Sequence, residues 1–387
     1  MFKQYYADMH IHIGRDIYHK PVKITGAKSL TLTNILIEAS RRKGIDLIGV
    51  IDCHAPSVQE ELYKLIEAGQ ANERKEGGIQ FEKVTLLPGS EIEVYDKEAK
   101  GPMHVLCFFP SLDVITTFSY WLASKMKNIN LSSQRFYGTA KELQHKVTEL
   151  DGLFIPAHIF TPFKGLYGKA VNRTLEEILD PGLIDAIELG LSADTHMANQ
   201  INELKSYTFL ANSDAHSLPK IAREYQIIEM KEPSFIEFKH AIQGEKGRGV
   251  KKYFGMNPKL GKYHHTVCQS CMKNMPYHTE KCTACGSHKI IPGVYDRIQE
   301  LGNAKEDNVD RPPYIYQVPL EYLPKLGPKT YEKLLARFGT EMHVIHHASF
   351  EQLVEIVPES LAQSIVDMRH GKLSIVGGGG GRYGKVR

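Results

Sequence analysis

The sequence predicts a mixed α/β protein in which one large β/α-repeating domain is followed by two small units. Three observations predict it. Short apolar runs alternate with helix-like stretches through the first 243 residues, His and acidic side chains recur where those runs end, and four cysteines crowd into one later window. At 387 residues the chain exceeds one ordinary core, so several folding units are expected. A hydrophobic content of 42% with 24% charged residues is that of a globular chain, and no run of about 18 apolar residues exists to span a bilayer. The first residues lack an apolar stretch with a small-residue cleavage site, which makes the cytoplasm the expected compartment.

The apolar runs fall at residues 4–11, 47–51, 84–87 continuing into 92–94, 105–109, 153–155, 184–189, 208–211 and 226–230. Helical spacing appears between them, as in Leu32, Ile35, Leu36 and Ala39, or Leu143, Val147 and Leu150. Runs without polar alternation suit strands buried on both faces, so a parallel sheet or barrel is expected. The pattern stops after about Ala241, and Gly244-Glu245-Lys246-Gly247-Arg248-Gly249 reads as a linker closing a domain over 1–243. A cysteine unit is expected over 260–303 and a helical unit over 314–376. The Gly-rich, basic residues 377–387 read as a flexible tail. Net charge is only +3, but from Glu245 onward 21 Lys and Arg face 14 Asp and Glu, leaving the first part acidic. The later part is the expected polyanion contact, while the acidic part suits cations.

Candidate metal ligands keep step with the strand ends. Asp8-Met9-His10-Ile11-His12 closes the first run, Asp52-Cys53-His54 follows the second, Glu91 and Glu93 the third, His158 a later one, and Asp214-Ala215-His216 the run at 208–211. In a β/α barrel such ends converge on one face. His10 and His12, two apart on a strand, point the same way. Imidazoles with carboxylates suit zinc, manganese or iron, and ions so held would activate water against a phosphate ester. Asp52, Glu93, Asp194 and His196 are candidates for orienting ligands or moving protons.

This ordered set, with Gly89-Ser90-Glu91-Ile92-Glu93, His104 and Pro156-Ala157-His158, resembles the PHP (polymerase and histidinol phosphatase) hydrolases over roughly the first 230 residues. The resemblance implies a distorted (β/α)7 barrel holding up to three ions through His10, His12, His54, Glu91, His104, His158, Asp214 and His216, with Glu91 bridging. Many members carry a further histidine after the first pair, and Asp16 or His19 stands nearest here. Catalytic roles are expected for Asp214, Glu91, His158 and Asp52.

Cys268-Gln269-Ser270-Cys271 and Cys282-Thr283-Ala284-Cys285 form two Cys-x-x-Cys knuckles, the donor set of a closed structural zinc site. Leu323-Pro324-Lys325-Leu326-Gly327-Pro328-Lys329 resembles a helix-hairpin-helix, with Lys325 where a glycine is commoner. Such a hairpin offers backbone N–H groups to phosphate without reading bases, so Lys325, Gly327, Lys329 and the tail's Arg382 are expected DNA contacts. A PHP barrel, four-Cys ribbon and helical tail together resemble the endonuclease Q family of DNA-repair enzymes. That resemblance implies incision 5′ to a deaminated base (uracil, hypoxanthine, xanthine) or an abasic site. It also implies catalytic zinc with magnesium or manganese as alternatives, and damaged DNA as partner, with a replication clamp or repair proteins beyond it. A phosphoesterase for small phosphomonoesters or a general nuclease is the rival. Trp121, Phe136, Tyr137, Phe160, Phe163 and Tyr167 could stack on a base, and no spacing selects among them.

Overall fold

A computed structural model describes the chain except for residue 262, residues 305–308, 379–383 and 387, and the side chains of 385 and 386. Its centre is a ring of short strands. These are β1 (Lys3–Ile11), β2 (Leu47–Val50), β3 (Val84–Val94), β4 (Met103–Phe108), β5 (Leu153–Pro156), β6 (Ile187–Glu188) and β7 (Phe209–Leu210). β1 pairs parallel with β2, and β2 with β3. β3 and β4 are antiparallel, as are β4 and β5. Asp185 N–H donates to Phe154 O and Ile159 N–H to Glu188 O, joining β5 to β6, which pairs parallel with β7. The ring closes where Ala215 bridges β1, His12 N–H donating to Ala215 O and Ala215 N–H to His10 O, each at 3.1 Å.

The expected barrel is present and its strands are parallel from β1 to β3 and from β6 to β7, while β4 runs against its neighbours. Outside the ring, β8 (Tyr225–Met230) lies antiparallel on the first half of β1, β9 (Gly249–Gly255) antiparallel on β8, and β10 (Tyr314–Tyr316) parallel on β9. The apolar runs do not include β9, whose buried Val250, Tyr253 and Phe254 flank the exposed pair Lys251-Lys252.

Around the ring, helices bury one stripe each. The helix Ala140–Glu149 starts at Thr139, whose hydroxyl accepts from Glu142 N–H, and buries Leu143 and Val147, each contributing about 1.5–3 kcal/mol. The helical stretch at 32–43 turns α-helical at Leu32–Ile37 and π-helical at Glu38–Lys43, ending on Gly44 in left-handed backbone.

The later parts pack on the barrel. The helix Val294–Leu301 is held through Arg297, which donates to Tyr167, Val171 and Asn172 carbonyls. The helices Pro328–Phe338, Glu341–His346, Phe350–Val354 and Glu359–Arg369 form the C-terminal unit. Lys43 Nζ reaches Glu341 at 2.6 Å and Pro219 O at 3.0 Å, and Arg42 pairs with Glu332 at 2.6 Å. His346 stacks on Tyr6, and its Nε2 shares a hydrogen bond of 2.6 Å with the Tyr225 hydroxyl. Among the described residues of the C-terminal stretch, Ile375–Val376 pairs with Lys385–Val386, and Gly378 and Gly384 N–H donate to Lys259 and Leu260 carbonyls. Those bonds offset the entropy cost of ordering glycine. Arg382 lies outside the described residues.

Candidate metal centre

The strand ends deliver two adjoining donor groups, His10 with His12 and Asp214, and Glu91 with His104 and His158, each with ligand atoms within 4.8 Å of one another. Glu91 lies between them. Its Oε1 is 2.8 Å from His104 Nδ1, 3.3 Å from His158 Nε2 and 3.5 Å from His10 Nε2, while Oε2 is 3.5 Å from His12 Nε2. Asp214 Oδ1 is 3.5 Å from Nε2 of both His10 and His12 and 3.3 Å from His216 Nε2. His104 joins because β4 is reversed: its first residues, not its last, lie at the end where the other strands finish, and His104 stands opposite Glu93 in the ladder.

Two features fit divalent cations. Nε2 of His10, His12 and His104 are fully buried with no hydrogen-bond partner, an arrangement that a bound cation would satisfy. The opposite nitrogens of the first pair are held by carboxylates, His10 Nδ1 by Glu188 at 2.9 Å and His12 Nδ1 by Asp52 at 3.1 Å. A carboxylate on one ring nitrogen fixes tautomer and orientation and makes the other a better ligand. Burial would raise the Glu91 carboxyl, but His104 and Lys23 hold it well below its ordinary range. Burial likewise opposes ionisation of Asp214, and His10 and His12 outweigh it. Asp214 still shows about a third of its side chain to solvent, so the site opens on that side.

Backbone strain marks the same place. His158 and Asp214 carry φ of 29° and 46°, uncommon for residues with a Cβ. Gly190, at φ +76°, gives His158 room, since a Cβ there would lie 2.6 Å from His158 Cβ.

Not every expected residue arrives. His54 is buried beside the cluster, but Ser90 Oγ at 2.9 Å and Leu131 O at 3.3 Å take its two nitrogens. Asp16 spends Oδ1 on Tyr18 and Lys20 N–H groups, shaping its own turn. Asp52 accepts from Ile13 N–H at 2.7 Å and touches His12, so it orients a ligand rather than facing the opening. Asp194 caps a short helix through Met197 N–H and accepts from Tyr316. Glu93 pairs with Lys164 and lies 3.8 Å from His104 Nε2.

Sequence reasoning assigned no role to Glu188, Lys23 or Ser133. Glu188 ends a strand, the signal that found the others. Lys23, 3.1 Å from Glu91 Oε2, and Ser133, which donates to the same carboxylate, sit in loops with no motif.

In the ribbon, Cys268 and Cys285 Sγ are 3.6 Å apart and Cys271 and Cys282 Sγ 3.5 Å, with all four mutually close. Tetrahedral Zn–S bonds of about 2.3 Å imply sulfur separations of about 3.8 Å, so the cage fits zinc. Backbone N–H groups of Cys285 and Ala284 lower the Cys282 thiol to about 6, favouring thiolate. In the tail, Lys325, Gly327 and Lys329 are exposed on the hairpin, Lys325 in left-handed backbone at φ +70°.

Seven ring strands with this donor set at their ends define a metal-dependent phosphoesterase of the PHP type, extended by a four-Cys unit and a helical tail. No protein-family model matches the sequence. The chain is 50% identical over 385 residues to the uncharacterized protein YqxK of Bacillus subtilis (strain 168), covering 100% of both. Among solved structures, the lesion-specific endonuclease PfuEndoQ from Pyrococcus furiosus superposes with a TM-score of 0.85 at 32% identity, over 100% of this chain and 95% of that one. Endonuclease Q in complex with a 27-mer duplex substrate with an abasic lesion at the active site gives the same score and identity, over 100% and 96%. The chain belongs to the endonuclease Q family.

Proposed function

We propose that this protein is a DNA-repair endonuclease that hydrolyses the phosphodiester 5′ to a deaminated base or an abasic site. The carrying observation is the buried, paired donor set around Glu91, with Asp214 at its open side. His10, His12, His216 and Asp214 would hold ions on one side of Glu91, with His104 and His158 on the other. Zinc suits this His-rich set, and manganese or magnesium would serve the carboxylates. Such ions supply an activated nucleophile and neutralise charge on the phosphoryl oxygens. Glu188 and Asp52 keep the imidazoles aimed, and Lys23 places a further cation against the bridging carboxylate.

A cleft of about 200 Å³ opens beside His158 and Asp214 and is lined by Phe163, Leu191, Ser192 and Tyr263 among others. Phe163 is half exposed and meets Tyr263 edge-on, whereas Phe136, Phe160 and Tyr167 are core residues. An extruded nucleotide would be received by such an amphipathic slot, and a damaged base costs less to extrude. The exposed hairpin at Lys325, Gly327 and Lys329 supports DNA as the partner.

The test is a labelled duplex carrying one uracil, incubated with zinc, manganese or magnesium. A nick 5′ to uracil with 3′-hydroxyl and 5′-phosphate ends is expected, and Asp214→Ala should abolish it while largely sparing DNA binding. Equal cleavage of undamaged duplex, or hydrolysis of phosphomonoesters alone, would refute the reading.

A further inference from the structure

The segment 132–137 begins in the metal centre and ends on the surface. Ser132 Oγ lies 3.1 Å from His12 Nδ1 and Ser133 touches Glu91, and the chain then pairs with the end of β3, Arg135 beside Glu93 and Phe136 beside Val94. Strand alternation divides this ladder cleanly. Val94 and Phe136 are buried in the core, which leaves Glu93, Tyr95, Arg135 and Tyr137 on the opposite face.

On that face the Arg135 guanidinium lies 4.8 Å from the Tyr95 ring centroid and 5.4 Å from that of Tyr137. Both tyrosines are exposed, at 40% and 48%. Among the described residues Arg135 has no carboxylate partner, in contrast to its neighbours Lys125, paired with Glu142, and Lys164, paired with Glu93. Packed chemistry of this kind is informative. Two aromatic faces hold the planar cation in one orientation while its N–H donors stay unspent, which is the condition for bidentate phosphate binding at low entropy cost. The Lys164 ammonium neutralises Glu93, the carboxylate beside Arg135 in the ladder.

The geometry points to a backbone-binding platform: Tyr95, Arg135 and Tyr137 hold the sugar-phosphate backbone of the DNA strand being cut, with Arg135 receiving a phosphate beside the reacting one. The placement rests on the nuclease reading above. Ser133, in left-handed backbone at φ +53°, turns the chain out of the centre, and Arg135 follows two residues later, a reach of at most about 7 Å, the scale of one step between neighbouring phosphates of a strand. A phosphate on Arg135 would therefore set the register with which the strand enters the centre, without reading sequence.

The test uses the full-length protein and a uracil duplex with a phosphorothioate at the scissile linkage, binding being followed by fluorescence anisotropy from about 50 to 200 mM salt. Arg135→Ala should weaken binding roughly tenfold and lower the slope of log K against log salt by about 0.9, the loss of one phosphate contact. Arg135→Lys should keep the slope while binding more weakly, because the ammonium retains charge but not the fork. Tyr137→Leu should weaken binding a few-fold at unchanged slope. Hydrolysis of bis(p-nitrophenyl) phosphate should be unaffected in all three, showing that the metal centre is intact. Wild-type affinity and slope in Arg135→Ala overturn the platform, and so does a slope change in Tyr137→Leu equal to that of Arg135→Ala. If the unsubstituted protein neither binds nor nicks uracil DNA, the nuclease reading fails first and the platform with it.

Discussion

The two donor sets of this chain are assembled in opposite ways. The ribbon's four cysteines come from one short window whose buried apolar cluster, among the described residues, is Cys268, Met275 and Cys282, so two of its three members are candidate ligands. The barrel's donors come from strand ends spread from His10 to His216, over a continuous core of buried Val, Ile, Leu and Phe. A four-Cys site over so small a core would be organised by its ion, while donors on strand ends over a large core would be organised by the sheet. Folding and metal binding would thus be the same event in the ribbon and separable in the barrel.

Cys268→Ser attacks that contrast where the effect is largest. It should remove the structural ion, whose apparent binding in such sites is about 10–16 kcal/mol, and melt the ribbon locally while the barrel keeps its transition. Zinc analysis with amide exchange reads both, and intact protection over 267–291 in this variant would contradict the account. Lys43→Met comes next. It strands the buried Glu341 carboxylate and frees Pro219, which sits on the loop that also carries Asp214 and His216. Leaving one buried charge unpaired costs about 3–5 kcal/mol, and replacing both partners by apolar residues restores most of it. Urea unfolding of Lys43→Met beside Lys43→Met/Glu341→Leu measures the difference. Equal midpoints for the single variant and the unsubstituted protein would show that the sheet alone holds the loop.

The contrast also explains what could be read beforehand. The ribbon was legible because its ligands are local and their spacing is their geometry. The barrel donors were legible as strand-end residues, but strand direction is not encoded in apolar periodicity, and so the reversal of β4 and the reason His104 joins the site were not. The polar stretch from Tyr95 to Gly101 was the available hint of a hairpin. His54 matches the motif by type and position and Asp16 by position alone, yet competing hydrogen bonds to Ser90, Leu131, Tyr18 and Lys20 decide where their polar atoms point. Such competition depends on loops packed from distant sequence. β9 escaped because the adjacent pair Lys251-Lys252 breaks its apolar run.

A smaller effect separates the core from the centre it supports. Glu224 is buried with Oε1 on Met256 N–H and Oε2 unpartnered, in space that Gly255 leaves beside Tyr314. Burial pushes its carboxyl up to about 8 from an ordinary 4.5. A raised acid binds more protons folded than unfolded between those values. Its contribution to stability is therefore complete below about 4.5 and is lost as pH rises towards 8, about 2 kcal/mol of it between pH 6 and 8. Glu224→Gln should flatten that part of the stability profile, and an unaltered profile would mean that the carboxylate is accommodated in the fold.

Glu188→Gln tests the claim that the barrel site is prebuilt down to its imidazoles. The carboxylate takes His10 Nδ1, Asn212 Nδ2 and His158 N–H, so it orients two candidate ligands on either side of Glu91 while itself buried. The amide keeps the shape but loses the charge that makes His10 a strong donor. Losing such a partner typically costs 10–100-fold in metal affinity or activity, about 1.4–2.7 kcal/mol. Melting temperature and DNA affinity should hardly change, because the sheet and the hairpin do not depend on it. The discriminating measurement is nicking rate against metal concentration. If added metal rescues the rate, Glu188 acts by holding the ligand geometry. A lowered rate at saturating metal would place it closer to the chemistry than its hydrogen bonds suggest, and no loss at any concentration would mean that the strand ends alone aim the histidines.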